Sequence, residues 1–281
     1  MDWFWAAVVS AITLSGQGLA FQQLQRHYRI QVYMTYIWWG SALVLALVFL
    51  RPADLPVISA NALPLVLAGV SSFTGVYCFN RAIRVQTNLG YIEAVIALRV
   101  AVTYLFSVIV LAAPVEPIRL LGVIGVTLGV FAIAGALNLR LAEFRLDWLT
   151  WALAASLLFA AMTIFVRMAT DGGIGGEVAT VVVLVVSGSL FFVSSLLSRS
   201  SFRVEKKHVG LMIGAIAFAA VGNAANFISY QLAPNLAYAI AIDNGRIIIL
   251  YVAGLLMYAE RLHRVKVFGI ALTFVGVLLL S

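Results

Sequence analysis

Apolar residues run along this chain in long blocks broken by short polar joints, each block close to the ~20 residues a membrane span requires. Ten blocks are legible, at 3–22, 31–50, 63–82, 88–112, 118–138, 147–168, 177–198, 209–231, 235–258 and 263–280. The joints carry turn and charge signals: Arg51-Pro52-Ala53-Asp54, Ala113-Pro114 with Glu116-Pro117, Asp171-Gly172-Gly173, and the run Arg203 to Lys207. The pattern predicts an all-α integral membrane protein of ten transmembrane helices.

A second pattern overlies the first. The stretch from Gly75 to Gly129 is written again from Gly222 to Gly276. An offset of 147 joins Asn88 to Asn235, Leu89 to Leu236, Tyr91 to Tyr238, Arg99 to Arg246, Tyr104 to Tyr251, Gly122 to Gly269 and Gly129 to Gly276. Asp2-Trp3 and Asp147-Trp148 open the two halves at an offset of 145. Leu and Gly matches are cheap in so apolar a chain, whereas matched Asn, Tyr and Arg inside apolar runs are not. The chain divides into a first five-helix repeat, 1–140, and a second, 147–281, within one membrane domain. Five spans per repeat is an odd number, so the second copy enters the membrane upside down. Inverted repeats of this kind point to a secondary transporter with its site between them.

Composition agrees. The 281 residues are 63% hydrophobic and 10% charged, against about 45–50% and about 25% in soluble domains. The net charge of +7 does not imply nucleic acid, because the basic residues are scattered over short joints. Their distribution is nevertheless informative. Apart from Arg99 and Arg246, which fall inside spans, thirteen of sixteen follow spans 1, 3, 5, 7 and 9. Arg51, Arg119 and Arg167 are the three on the other side. The positive-inside rule then puts the thirteen in the cytoplasm and both termini outside it, in a multi-pass protein of the inner (plasma) membrane. No basic region precedes the first span, so no cleavable signal is expected. The single cysteine, Cys78, excludes an intramolecular disulfide and a Cys-rich metal site.

The segment Tyr258-Ala259-Glu260-Arg261-Leu262, followed by Gly269 and Gly276, closes the second half. The first half repeats the glycines at Gly122 and Gly129 but has Ala113 opposite Glu260, its acid Glu116 lying three residues on. With the span count and the repeat, these features resemble the ten-helix EamA-type group of the drug/metabolite transporter superfamily, over essentially the whole chain. The resemblance implies exchange or export of a metabolite or drug without ATP. The chain departs from that group at Arg99 and Arg246, where the family helix usually carries a proline.

Four ionisable residues lie well inside spans: Glu93 and Arg99 in the fourth, Asp243 and Arg246 in the ninth. Each would cost at least about 2.5–3.5 kcal/mol at the bilayer centre, so each needs a partner or a wet cavity. Asp243 and Arg246 are i,i+3 neighbours that can pair on one helix face. Glu93 and Arg99 are about 240° apart around a helix, so Arg99 needs an acceptor from another helix, the backbone or a substrate. Two readings stand. The arginines form a substrate site near the midplane, their planar forks suited to a carboxylate or phosphate; or they are structural, neutralised by Glu93 and Asp243. Either acid could carry a coupling proton, Glu93 the better candidate because Arg246 would keep Asp243 ionised.

Further polar positions mark a cavity. Asn223, Asn226 and Tyr230 form an i, i+3, i+7 stripe on the eighth span, with Tyr77 and Asn80 at the shifted counterpart on the third. Cavity lining and interhelical hydrogen bonding are both open to them. The stripe Ser10, Thr13 and Gln17 reads as helix packing. Asn88 and Asn235 read as N-terminal caps of the fourth and ninth helices. Trp38 lies deep in the second span with Tyr33, Tyr36 and Trp39, where an aromatic cage for a cation competes with ordinary packing. The other tryptophans fit an interfacial belt.

Neither an enzyme nor a cofactor or metal is expected. His27, His208 and His263 have no ligand spacing, and no glycine-rich phosphate loop with lysine occurs. The expectation is secondary transport of a small polar metabolite, anionic or zwitterionic (an amino acid or organic acid), by alternating access and in the direction of export. The candidate binding residues are Arg99, Arg246, Tyr77, Asn80, Asn223, Asn226, Tyr230 and Trp38, with Glu93 and Asp243 as coupling candidates. Export of cationic or aromatic drug-like compounds and passive conduction are the alternatives.

Overall fold

The computed structural model describes residues 2–85, 89–134, 146–250, 252 and 264–280, and the regular structure among them is helical. The helices are α1 (Trp3–Leu24), α2 (Ile30–Phe49), α3 (Leu55–Ala60, after a 3-10 turn at Pro52–Asp54), α4 (Ala62–Val85), α5 (Leu89–Ala97), α6 (Arg99–Ile109), α7 (Pro117–Ala134), α8 (Leu146–Asp171), α9 (Gly176–Leu197), α10 (Lys206–Leu232), α11 (Leu236–Asn244), α12 (246–250) and α13 (Arg264–Leu280). Six of them, α1, α2, α4, α8, α9 and α10, are long and apolar enough to cross a bilayer. Their outer faces carry exposed Leu47, Leu63, Leu197 and Ile213. A surface of this kind suits lipid rather than water, as in a helical membrane protein.

Helices pair mainly across the middle of the chain: α1 with α10, α4 with α8, α2 with α9 and α7 with α13. Every pair is antiparallel. On α1 and α10, Gly222 meets Thr13 and Leu14 while Gly16 meets Phe218. On α4 and α8, Gly75 meets Leu158 and Phe159, and the Asn61 amide donates to the Gly172 carbonyl at 3.2 Å. Two hydroxyls fasten the inner layer: Ser41 donates to the Ile216 carbonyl at 2.9 Å and Ser187 to the Gly69 carbonyl at 2.8 Å. The α7–α13 crossing is close because glycine removes the side chains on both sides. A Cβ on Gly122 would lie 2.8 Å from the Gly276 carbonyl, and one on Gly269 would lie 2.8 Å from the Gly129 carbonyl. Close backbone approach of this kind is how membrane helices gain van der Waals contact where burial of apolar surface drives nothing.

Three sequence expectations change. The apolar blocks at 88–112 and 235–258 are not single helices. The first breaks at Leu98 and the second at Gly245, each one residue before an arginine. Both breaks carry bonds of three-residue span: Leu98 N–H donates to Val95 and Ala101 N–H to Leu98, and Gly245 N–H donates to Ile242 as well as to Ala241, with Ile248 N–H donating to Gly245. These i→i+3 bonds make a tight 3-10 step inside an α-helical run, a feature associated with hinges and functional sites. Second, Arg81, Arg84 and Arg167 sit within α4 and α8 rather than in loops. Arg167 donates to the carbonyls of Tyr230, Gln231 and Ala233 at 2.8, 2.9 and 3.0 Å, satisfying the open C-terminus of α10. Third, the joint between the second and third spans is itself helical, at α3. Asn235 accepts from the Ala237 N–H at 3.0 Å and caps α11 as expected. Asn88 and the Tyr258–Leu262 segment fall outside the described residues.

The glycine crossing generates a direct test. Gly129→Val or Gly276→Val should destabilise by about 1–3 kcal/mol through overpacking, seen as a lower melting temperature in detergent. Gly210→Ala, where a Cβ meets nothing within 4 Å, should change it little.

Candidate functional site

The breaks bring the four buried ionisable residues together. Arg99 is the first residue of α6 and Arg246 the first of α12, while Glu93 lies on α5 and Asp243 near the end of α11. The Arg99 Nη2 donates to Asp243 Oδ2 at 2.8 Å and to Asn244 Oδ1 at 3.2 Å. Asp243 Oδ1 accepts from Ser10 Oγ on α1 at 3.1 Å. The Arg246 Nη2 donates to Glu93 Oε2 at 3.5 Å, and its Nη1 stands 3.9 Å from Asp243 Oδ2. The i,i+3 pairing of Asp243 with Arg246 is therefore the longer contact. The short one joins Asp243 to Arg99, 144 residues away in sequence.

The acids and arginines thus pair crosswise between the two sequence halves. The two bridges differ in seating. Side-chain exposure is 5% and 1% for Arg99 and Asp243, against 23% and 16% for Arg246 and Glu93. The first bridge is short and enclosed, and the second is long and faces open space. Glu93, the better proton-carrier candidate by sequence because no arginine neighbours it there, stands 3.5 Å from Arg246, as Asp243 stands 3.9 Å from it.

That open space is a cavity of about 190 Å³ whose walls come from α1, α2, α4, α5, α6, α8, α10, α11 and α12. Glu93, Arg99, Asp243 and Arg246 form one wall, and Phe21, Tyr33, Trp38, Phe79 and Phe159 supply aromatic surface around it. It runs from exposed Gln25 at the end of α1 down to buried Asn226 and Asp243. At the other end of the bundle the path is packed shut. Arg119 stacks over the rings of Trp3 and Tyr238 at 5.9 and 5.8 Å and pairs with Glu116 at 3.1 Å.

Of the eight candidate binding residues, six line this cavity: Arg99, Arg246, Asn80, Asn223, Asn226 and Trp38. Both coupling candidates do so too. Tyr77 does not; its hydroxyl accepts from Arg81 at 2.8 Å and its ring lies under the same guanidinium. Tyr230 is fully buried beside Phe227 and also lies outside the lining. Asn80 and Asn223 each return one amide bond to their own helix, to the Val76 and Ala219 carbonyls.

Reading the sequence missed Gln17, Gln22, Gln25 and Ser72, which add polar groups to the wall. Gln17 had been grouped with a packing stripe, but only Ser10 and Thr13 behave that way: Thr13 bonds to the Val9 carbonyl and Ser10 to Asp243. Gln17 instead lines the cavity. Among the lining residues, the donors Gln17 Nε2, Trp38 Nε1 and Arg99 Nε are enclosed without a protein partner, as is the acceptor Asn226 Oδ1.

Comparison with known proteins adds the fold. No family model matches the chain, and no curated protein matches it. Among solved structures, 29 chains match. One, described only as the crystal structure of a protein, superposes with a TM-score of 0.73 at 14% identity, covering 98% of this chain and 95% of that one. At that identity the likeness concerns the fold alone.

The enclosed bridge should behave as a structural element. Asp243→Asn strands the Arg99 charge and should destabilise by about 3–5 kcal/mol. Combining it with Arg99→Gln removes both charges and should restore most of the loss. Thermal unfolding of the two single variants and the double variant in detergent gives the coupling.

Proposed function

We propose that this protein is a secondary transporter, of the kind found in the EamA-type group, that moves a small polar metabolite by alternating access. The observation that carries the reading is the cavity at the two helix breaks, where each half contributes one arginine and one acid. Broken helices around a mid-membrane site are a recurring device of inverted-repeat transporters.

Contacts that occur twice support the repeat. Gly75 against Leu158 and Phe159 becomes Gly222 against Thr13 and Leu14, since 75 + 147 = 222 while 13 + 145 = 158 and 14 + 145 = 159. The Ser41–Ile216 bond recurs as Ser187–Gly69, Gly69 and Ile216 standing at the offset of 147 and Ser41 and Ser187 at 146, between the offsets of the earlier and later segments. Gly122 and Gly129 cross their own counterparts in reversed order, Gly276 and Gly269. Exchange of the halves by a two-fold axis in the membrane plane accounts for all three sets. A ten-span arrangement follows when α5 with α6, and α11 with α12, each count as one interrupted span.

The same symmetry relates the open end of the cavity to the closed one. Gln25 and Ile83 line the open path; their counterparts are Thr170 (25 + 145 = 170) and Tyr230 (83 + 147 = 230). Both counterparts are buried in the closed end. Tyr230 therefore belongs to the path in the alternate conformation. By the positive-inside rule the open end faces the cytoplasm, with both termini outside, in an inner (plasma) membrane. An inward-open cavity is the loading state of an exporter.

Counterflow in proteoliposomes tests the function. Vesicles preloaded with an unlabelled panel of amino acids and organic acids should transiently concentrate the matching labelled solute. Arg246→Gln should lower that uptake by at least tenfold, and Arg246→Gln combined with Glu93→Gln, which strands neither charge, should elute and melt like the parent protein while transporting no better. Non-saturating flux without counterflow would instead mark a channel.

A further inference from the structure

The two crosswise ion pairs are not equivalent, and their difference points to the chemistry of the solute. This inference rests on the transport reading above. Arg99 holds Asp243 at 2.8 Å with Ser10 and Asn244 completing the set. Arg246 meets Glu93 at 3.5 Å, and both side chains face the cavity. A bond at the edge of hydrogen-bonding distance, between partly exposed partners, is the one a ligand can enter.

Charge balance selects the ligand. Two arginines and two carboxylates sum to zero. An anion inserted between Arg246 and Glu93 would satisfy the guanidinium but leave the Glu93 carboxylate without a counter-charge in a low-dielectric wall. A cation would strand Arg246 in the same way. Stranding one member of a buried pair is what such sites tolerate least. A zwitterion leaves neither charge alone: its carboxylate takes the fork of Arg246 and its ammonium takes Glu93. Gln17 and Trp38 also line this cavity, each with a side-chain N–H enclosed and without a protein partner. Phe21, Phe79 and Phe159 offer apolar surface to the remainder of the molecule.

We propose that Glu93 and Arg246 form a substrate-releasable link between the two halves, opened by a zwitterion whose carboxylate binds Arg246 and whose ammonium binds Glu93. Arg99–Asp243 stays closed throughout and serves as the fixed member. Binding and the loosening of the halves then become one event, because the solute replaces the contact that ties α5 to α12.

The test is thermal stabilisation of the purified full-length protein by matched triads: leucine, phenylalanine and glutamine, each beside the amine lacking its carboxylate and the acid lacking its ammonium. At least one amino acid should raise the melting temperature where its amine and acid do not. Glu93→Gln and Arg246→Gln should each abolish that shift. A ligand at ~100 times its dissociation constant stabilises enough to be read. Arg246→Lys, which keeps the charge and loses the fork, guards against a folding defect: it should melt like the parent and bind at least tenfold more weakly. Stabilisation by the acids or the amines alone, or by the amino acid undiminished in Glu93→Gln, overturns the zwitterion assignment. So does a triad panel with no stabilising member. Counterflow of an organic acid in the same preparation would then leave the transport reading standing, and its absence for every solute would remove both.

Discussion

A charged side chain deep in an apolar bundle has no water to turn to, and the rest of this structure is arranged around that constraint. Arg99, Arg246, Glu93 and Asp243 are gathered at one depth because each supplies the counter-charge another needs. The closest carboxylate to each arginine comes from the other half, so the shortest bridges tie the halves together. Folding and association of the two halves are thereby coupled to electrostatics, in a bundle where apolar packing gives little direction.

The interruptions at Leu98 and Gly245 have the same origin. Each lets an arginine start a new helical segment at the cavity wall rather than continue around an unbroken helix. The tight α7–α13 crossing and the serine bonds of the inner layer provide a rigid frame. Against that frame, the link we propose the substrate releases is the longer pair, Glu93–Arg246. One bridge is enclosed and short, the other exposed and long, and this asymmetry arises because the acids do not repeat: the counterparts of Asp243 and Glu93 are Ile96 and Ile240.

Much of this was legible in the sequence because Asn, Tyr and Arg repeated inside apolar blocks mark positions that apolar composition cannot explain. The repeat marked Arg99 and Arg246, while the stripe on the eighth span, its shifted counterpart on the third and the depth of Trp38 marked Asn223, Asn226, Asn80 and Trp38; all six line the cavity. The partners of the arginines were not legible. Local spacing favoured Asp243 with Arg246, while the closer contact depends on how α6 meets α11, which no helical periodicity encodes. The break at Gly245 had a glycine to announce it, whereas Leu98 is an ordinary helix former whose break is set by tertiary context. Tyr77 shared a spacing with Asn80 but is drawn to Arg81 one turn away. Gln17 reads as packing in the sequence because it shares a helical stripe with Ser10 and Thr13, small hydroxyls of the kind common at membrane helix interfaces.

The central claim is that one site opens alternately to two sides through the exchange of equivalent positions. Impermeant-thiol labelling of single cysteines at Gln25 and Thr170, with Cys78 replaced by serine, tests it most directly. Gln25→Cys should label from the open face and Thr170→Cys, buried at the closed end, should label only weakly from the other. A solute that raises the melting temperature should shift the two reactivities in opposite directions. Reactivities that move together, or a Thr170→Cys that stays unreactive under every solute that is transported, would contradict the account.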